Sequence, residues 1–295
     1  MAEYTPTKIG IGPQSTGLGV PAYNAGATNI GVAVIADYTA AVTVPTITAT
    51  TATVTTETVA TSTITALTVP KLGANVSPNM SRVRFFEDFL QDAASTLQKP
   101  WGTQDTSSAG SPTATMVADA LNGEYAMTLA SNSEAENLTL YFADQLVINP
   151  LLNPIFEARV KLAPAGATLT ADERVVFGFA SARNATLDSA TTNVWFRIEG
   201  ANLNIYAESD DGTTDTDDTD TTIDYVKDTY VTLKIDMADV SAIKFYVDGV
   251  LGATLSAPLL DATMKLQPFI EIQRDAGTEV NVLTIDYVYV EQDRV

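Results

Sequence analysis

No cysteine and no histidine occurs anywhere in the 295 residues. Without thiols there is no disulfide framework and no Cys-based metal or redox centre. Without imidazole the usual general base and the commonest transition-metal ligand are gone, and with them every Ser-His and Cys-His nucleophile arrangement. Basic residues are also sparse: 16 Lys+Arg stand against 36 Asp+Glu, for a formal charge of −20. Residues 1–81 hold only Lys8 and Lys71 against Glu3, Asp37 and Glu57, which leaves 14 basic and 33 acidic residues after position 81. A C-terminal part this acidic repels phosphate backbones, so nucleic acid is not an expected partner. The start, MAEYTPTKIG, lacks the basic and apolar parts of a signal peptide. No run approaches the roughly 18 apolar residues of a membrane span. The expectation is a soluble protein made in a cytoplasm, with no membrane partner.

What is present falls into three segments. Residues 1–41 are rich in turn formers, with Gly10, Gly12, Gly17, Gly19, Gly26 and Gly31 among Pro6, Pro13 and Pro21. One apolar stretch, Ile30 to Ile35, interrupts them, and Tyr4, Tyr23 and Tyr38 are spread along the segment. This is not a folded domain. It reads as a flexible tail or as an arm that becomes ordered on a partner.

From Val42 to Lys71 a five-residue unit repeats six times: VTVPT, ITATT, ATVTT, ETVAT, STITA, LTVPK. Threonine is second in each unit, at Thr43, Thr48, Thr53, Thr58, Thr63 and Thr68, and a small apolar residue follows it. A strand alternates its faces with period 2, so a repeat of five puts Val44, Val54 and Ile64 on one side and Ala49, Val59 and Val69 on the other. Thr and Val content and the bracketing Pro45 and Pro70 disfavour a helix. A solenoid of this length would not stack enough coils to bury a core. Both faces need cover, so Thr43, Val44, Val54, Val59, Ile64 and Val69 are candidate interface residues, either in an intertwined trimeric stalk or in a strap laid on another protein. Extended, thirty residues reach on the order of 100 Å. A disordered, mucin-like linker is the remaining alternative.

From about Arg82 the pattern changes to short alternating strands. They are expected at Tyr125–Leu129, Leu138–Ala143, Ile155–Leu162, Arg174–Ala182, Asn193–Glu199, Leu203–Ser209, Tyr230–Met237, Ala242–Val247, Leu266–Gln273 and Val280–Val290. So many strands with no convincing helix predict an all-β, antiparallel β-sandwich or barrel over residues 82–295. Every-other-residue apolar sets mark the expected core: Phe177 and Phe179; Val194, Phe196 and Ile198; Leu203 and Ile205; Val231, Leu233 and Ile235; Ile243, Phe245 and Val247. The opposite faces then carry Trp195, Arg197, Tyr206, Lys234, Lys244, Tyr246, Glu271 and Gln273.

Several phrases, in order, resemble the concanavalin-A-like or laminin-G-like jelly-roll superfamily. They are FFEDFL (Phe85–Leu90) followed by Trp101, NVWFRIEGANLNIYAES (Asn193–Ser209), AIKFYVDGVLGATL (Ala242–Leu255) with its Val-Asp-Gly turn, and the closing LTIDYVYVEQD (Leu283–Asp293). The resemblance implies a two-sheet sandwich over residues 84–293 whose final strand returns near the first. It does not imply a single function, because the superfamily holds lectins, hydrolases and purely structural modules.

Three chemistries can be weighed on this frame. The Glu-x-Asp-x-Glu strand of jelly-roll hydrolases, which puts three acids on one face, is absent. Glu271 and Asp286 stand singly, so no enzymatic activity is expected. The run ESDDGTTDTDDTDTTID supplies Glu208, Asp210, Asp211, Asp215, Asp217, Asp218, Asp220 and Asp224. Calcium takes six to eight oxygen ligands, so a structural calcium on Asp210, Asp211, Asp215, Asp217, Asp218 and Asp220 is one reading, and a solvated turn is the other. Trp195, Arg197, Tyr206, Lys244, Tyr246 and Glu271 offer rings and polar groups for stacking on a sugar, or a face packed against another subunit.

The order of arm, threonine-rich strap and acidic jelly roll is similar to that of tailed-bacteriophage decoration, cement and head-fibre proteins. That resemblance implies a virion-surface protein, a homotrimer, with the major capsid protein or another virion protein as partner. The alternatives are a tail-fibre or tailspike component binding host glycan and, from a different class, a secreted polysaccharide lyase or hydrolase.

Overall fold

The computed structural model describes residues 8–9, 20–21, 81–91, 97–184, 186–256 and 260–294. The chain divides into two compact units, Met1–Pro70 and Lys71–Val295. In the first, β1 (Lys8–Ile9) pairs antiparallel with β2 (Val20–Pro21). The pentad positions Thr43, Val44, Val54, Val59, Ile64 and Val69 lie outside the described residues.

The second unit is an all-β sandwich. Its strands are β3 (Arg82–Glu87), β4 (Gly102–Asp105), β5 (Thr113–Met116), β6 (Tyr125–Thr128), β7 (Glu136–Tyr141), β8 (Ile155–Ala163), β9 (Glu173–Ala180), β10 (Asn193–Glu199), β11 (Asn204–Asp210), β12 (Asp215–Asp224), β13 (Tyr230–Asp236), β14 (Ile243–Val247), β15 (Val250–Leu255), β16 (Gln267–Arg274) and β17 (Val282–Asp293). One sheet runs β12-β11-β10-β9-β16-β7-β4 and the other β15-β14-β13-β8-β17-β6-β5, all antiparallel. The closing strand β17 is long enough to pair with β8 along one side and with β6, then β3, along the other.

The core follows the alternation expected from sequence. Phe177, Phe179, Val194, Phe196 and Ile198 from one sheet meet Phe156, Leu233, Ile235 and Phe245 from the other, and all are fully buried. Phe156 and Phe179 pack edge to face at 5.6 Å, and Phe196 and Phe245 at 5.1 Å, across the sandwich. Phe85, Trp101 and Phe142 form a further edge-to-face group at 4.7–5.7 Å, so the aromatic opening of the jelly roll packs into the core. Leu203 departs from its expected place. It precedes β11, at the turn, and is exposed.

Local chemistry explains the connections. Asp248 and Gly249 both have positive φ, 48° and 78°, which is the two-residue hairpin turn whose twist suits antiparallel strands and joins β14 to β15. Strand β12, unforeseen in the sequence, is an edge strand rich in Asp and Thr that, among the described residues, pairs only with β11. An edge lined with carboxylates repels the edge of another sheet, which is where such residues are tolerated.

Gly178 lies on β9 between β10 and β16, opposite Trp195 on one side and Phe269 on the other. A Cβ there would sit 2.3 Å from the Val194 carbonyl oxygen and 2.7 Å from Trp195 Cα. Backbone at that distance cannot step aside. Gly178→Ala is therefore expected to lower the urea unfolding midpoint, by roughly 1–3 kcal/mol in stability. Gly249→Ala, with nothing within 4 Å of its Cβ, gives the comparison for backbone strain alone.

Candidate functional site

Register assembles two parallel rows on the outer face of the seven-stranded sheet. Thr139, Glu271, Val176, Arg197 and Tyr206 stand side by side across β7, β16, β9, β10 and β11. Tyr141, Phe269, Gly178, Trp195 and Glu208 form the next row. Four of the six expected sugar-face residues, Trp195, Arg197, Tyr206 and Glu271, are thus brought together.

Three of them, Trp195, Arg197 and Glu271, are buried, and Tyr206 is half-buried. The connection from β9 to β10 contributes Leu187 and Ala190, which pack with Val176, Ala180, Trp195 and Phe269 in an apolar cluster separate from the main core. Trp195 is 1% exposed. Its ring lies 5.9 Å from that of Phe269, and the two meet over Gly178, which has no side chain to hold them apart. The expectation of an exposed aromatic platform here is corrected: the chain's own connection supplies the apolar cover.

Most of the polar groups beneath the cover are paired with one another. Asn137 Nδ2 donates to Glu271 Oε1 and Thr139 Oγ1 to Glu271 Oε2, each at 2.6 Å. Arg183, from the covering connection, donates through Nε to Thr139 Oγ1 at 3.2 Å and lies 3.8 Å from Glu271 Oε2. Burial pushes the Glu271 carboxyl up to about 7, against the hydrogen bonds from Thr139 and Asn137 and the charges of Arg183 and Arg174. On the same face Trp195 Nε1 donates to Glu208 Oε2 at 2.7 Å, and Arg197 Nη1 lies 3.5 Å from that oxygen. Glu208 Oε1 is buried and, among the described residues, accepts no hydrogen bond. Burial raises this carboxyl to about 7 as well, opposed by Arg197 and Trp195. Glu208 and Glu271 sit three strand spacings apart, about 14 Å at about 4.8 Å per strand. Glycosidase carboxyl pairs stand roughly 5–9.5 Å apart, so these two do not make one.

Lys244 and Tyr246 lie elsewhere. They belong to β14, in the eight-stranded sheet, and project from its outer face. The six sugar-face candidates are therefore divided between opposite sides of the sandwich, because the strand order assigns β14 and β10 to different sheets. Beside Tyr246, the residues Glu157, Thr232, Lys234, Asp248 and Gly249 line a depression of about 520 Å³. Sequence reasoning placed Lys234 and Tyr246 on an outward face but did not single out Glu157, Phe86, Tyr287 or Tyr289, which share this surface. The alternation Tyr287, Tyr289, Glu291 in the closing strand was the available signal.

The calcium candidates are spread along the β11–β12 hairpin. Asp210 Oδ1 accepts from the Gly212 N–H, Asp211 Oδ1 from those of Thr213 and Thr214, and Asp220 accepts from the Thr222 N–H and Asn204 Nδ2. Asp215, Asp217 and Asp218 are exposed on β12. Asp210, Asp211 and Asp220 shape turns, as Asp does in loops of this kind. Among the described residues no group of three or more acidic side chains converges to hold a metal ion.

No protein-family model and no curated protein sequence matches the chain. Solved structures do match its fold. A protein of unknown function from Shewanella oneidensis MR-1 aligns with a TM-score of 0.56 at 13% identity, over 77% of this chain and 97% of that one. The carbohydrate recognition domain of Emp47p aligns at 0.50 and 11% identity, over 74% and 97%. A structure from work on endo-acting O-glycanases of the human gut microbiota aligns at 0.51 and 10% identity, over 71% and 99%. At these identities the likeness establishes the fold: the C-terminal unit is a concanavalin-A-like jelly-roll sandwich of the kind found in lectin domains and glycanases.

The two buried acids set a pH dependence. The ordinary Glu value is 4.5 and both folded-state values lie near 7. Between those limits the unfolded chain releases protons that the folded chain keeps. The associated stability is thus fully present below about pH 4.5 and is lost as pH rises through about 7. Glu271→Gln keeps the hydrogen-bonding shape and is expected to flatten that decline, read as urea midpoints from pH 4.5 to pH 8.

Proposed function

We propose that the protein is a structural component of a tailed-bacteriophage particle, held at the virion surface by its N-terminal segments and displaying the sandwich as a non-catalytic module. The observation that carries the non-catalytic half of this reading is on the outer face of the seven-stranded sheet, where Leu187 and Ala190 cover Trp195 and Arg183 lies against Glu271. A hydrolase needs a cleft with two carboxyl groups in reach of one bond. Here the two buried acids are far apart and occupied by Asn137, Thr139, Trp195 and Arg197.

The attachment half rests on the sequence. The pentads put apolar residues on both sides of an extended chain, which calls for partners on both sides and is met by three intertwined copies or by a capsid groove. The charge of −20 falls almost wholly on the displayed part. It would keep decorated particles apart by like-charge repulsion. A second reading, a fibre component that binds host glycan, is favoured by the aromatic outer face of the other sheet.

Cosedimentation with empty capsid shells tests the attachment. The full chain is expected to bind saturably, and a chain lacking residues 1–70, which retains the compact unit Lys71–Val295, is expected not to bind. Equal binding by both chains, or none by either, would overturn the assignment. Sedimentation of the full chain in solution is expected to give a trimer, and a monomer would remove the intertwined stalk.

A further inference from the structure

The outer face of the eight-stranded sheet differs from its counterpart in the other sheet: no segment among the described residues covers it. Register lines up Phe86, Tyr289, Glu157, Lys234, Tyr246 and Leu251 across β3, β17, β8, β13, β14 and β15. Phe86 is 57% exposed and Leu251 49%, while Tyr289, Glu157, Lys234 and Tyr246 are partly exposed. Tyr287 stands beside the row, with its ring 5.7 Å from that of Phe86.

A backbone irregularity produces this arrangement. The register of β17 against β8 shifts between Ile285 and Tyr287. Before the shift Leu283 and Ile285 face the core, and after it Val288 and Val290 do. The extra residue changes the parity of the strand, so that Tyr287 and Tyr289 emerge on the outer face. Without it, a strict alternation continued from Ile285 would turn both tyrosines into the core.

We propose that this face binds an uncharged oligosaccharide lying across the strands, from Phe86 on β3 to Tyr246 on β14. Four strand spacings separate these two positions, about 19 Å at about 4.8 Å per strand, so the ligand is a chain of sugars. A pyranose offers an apolar C–H face and a rim of hydroxyls, and the surface offers the complement. Rings stand at intervals along the row, with hydrogen-bonding groups between them.

Those groups retain capacity. Glu157 Oε1 accepts from Tyr287 OH at 2.7 Å, and Asp248 Oδ1 from the Thr232 N–H at 2.8 Å. The second oxygen of each carboxylate has no hydrogen bond among the described residues. Lys234 has no ion pair there either, and its ammonium lies 5.8 Å from the centre of the Tyr246 ring. Two acceptors and an ammonium thus converge on the depression beside one aromatic wall.

Charge and composition favour this class of ligand over others. The centre of a protein–protein interface is depleted of charged residues, whereas Glu157 and Lys234 occupy the middle of this row. Basic and acidic groups balance locally: Arg84 pairs with Glu291 at 3.0 Å and Arg159 with Asp286 at 2.5 Å. A locally neutral surface on a protein of charge −20 gives a polyanion no net attraction.

The inference needs only the folded sandwich and stands apart from the particle assignment. It is tested with the full chain on immobilised neutral oligomers of glucose, mannose, galactose and N-acetylglucosamine, with polygalacturonate as the acidic comparator, followed by calorimetric titration of any oligomer retained. Saturable binding to a neutral oligomer is expected, weakened at least tenfold by Tyr246→Ala and by Phe86→Ala and left unchanged by Trp195→Phe. Urea midpoints of the variants confirm that each remains folded. No saturable binding to any neutral oligomer, binding only to polygalacturonate, or binding indifferent to both Tyr246→Ala and Phe86→Ala would overturn the proposal.

Discussion

The contact of Leu187 and Ala190 with Trp195 and Phe269 determines which broad face of this sandwich meets solvent. It rests on Gly178, whose missing side chain lets the two rings close over β9, and on Arg183, which ties the same connection to Thr139 and Glu271. Once the cover is down, the acids beneath it are desolvated. Desolvation raises their carboxyl groups toward neutrality, and the hydrogen bonds from Asn137, Thr139 and Trp195 make that burial tolerable. The raised carboxyl groups are thus a consequence of closing the face.

The outer face of the other sheet is the more exposed one. There the shift in β17 turns Tyr287 and Tyr289 outward, and Tyr246 borders a depression next to a tight Asp248-Gly249 turn. The same fold can therefore present either of its sheets. Fold likeness to lectin and glycanase domains says little about which sheet a given chain uses, because function resides in side chains placed on a shared frame.

The sandwich was legible in the sequence because most of its core strands alternate with a period of two. Val194, Phe196 and Ile198 could be assigned to the core from alternation alone, and the Val-Asp-Gly turn marked one hairpin. Strand β12 was not legible: a run such as DTDDTD resembles a solvated loop, and only an edge position with a single pairing partner accommodates it. The fate of Trp195 was hidden for a different reason. Alternation placed it correctly with Arg197 and Glu271 on the outward side, but the cover comes from SARNATLDSATT, a segment whose one large apolar residue, Leu187, gives no sign of its target. The division of Tyr246 from Trp195 was likewise invisible, because strand order is a property of the whole topology. The parity change at Asp286 could be seen only once the pairing of β17 with β8 was known.

The chain has two tryptophans, Trp101 and Trp195, and each is 1% exposed. Trp101→Phe leaves Trp195 as the single reporter of the covered face. Iodide quenching of its fluorescence is the most direct test of whether that face is closed. The account predicts blue-shifted emission that iodide barely quenches in the folded protein and quenches freely in urea. Emission quenched in the folded state as strongly as in urea would mean that the face is open, and would contradict the account.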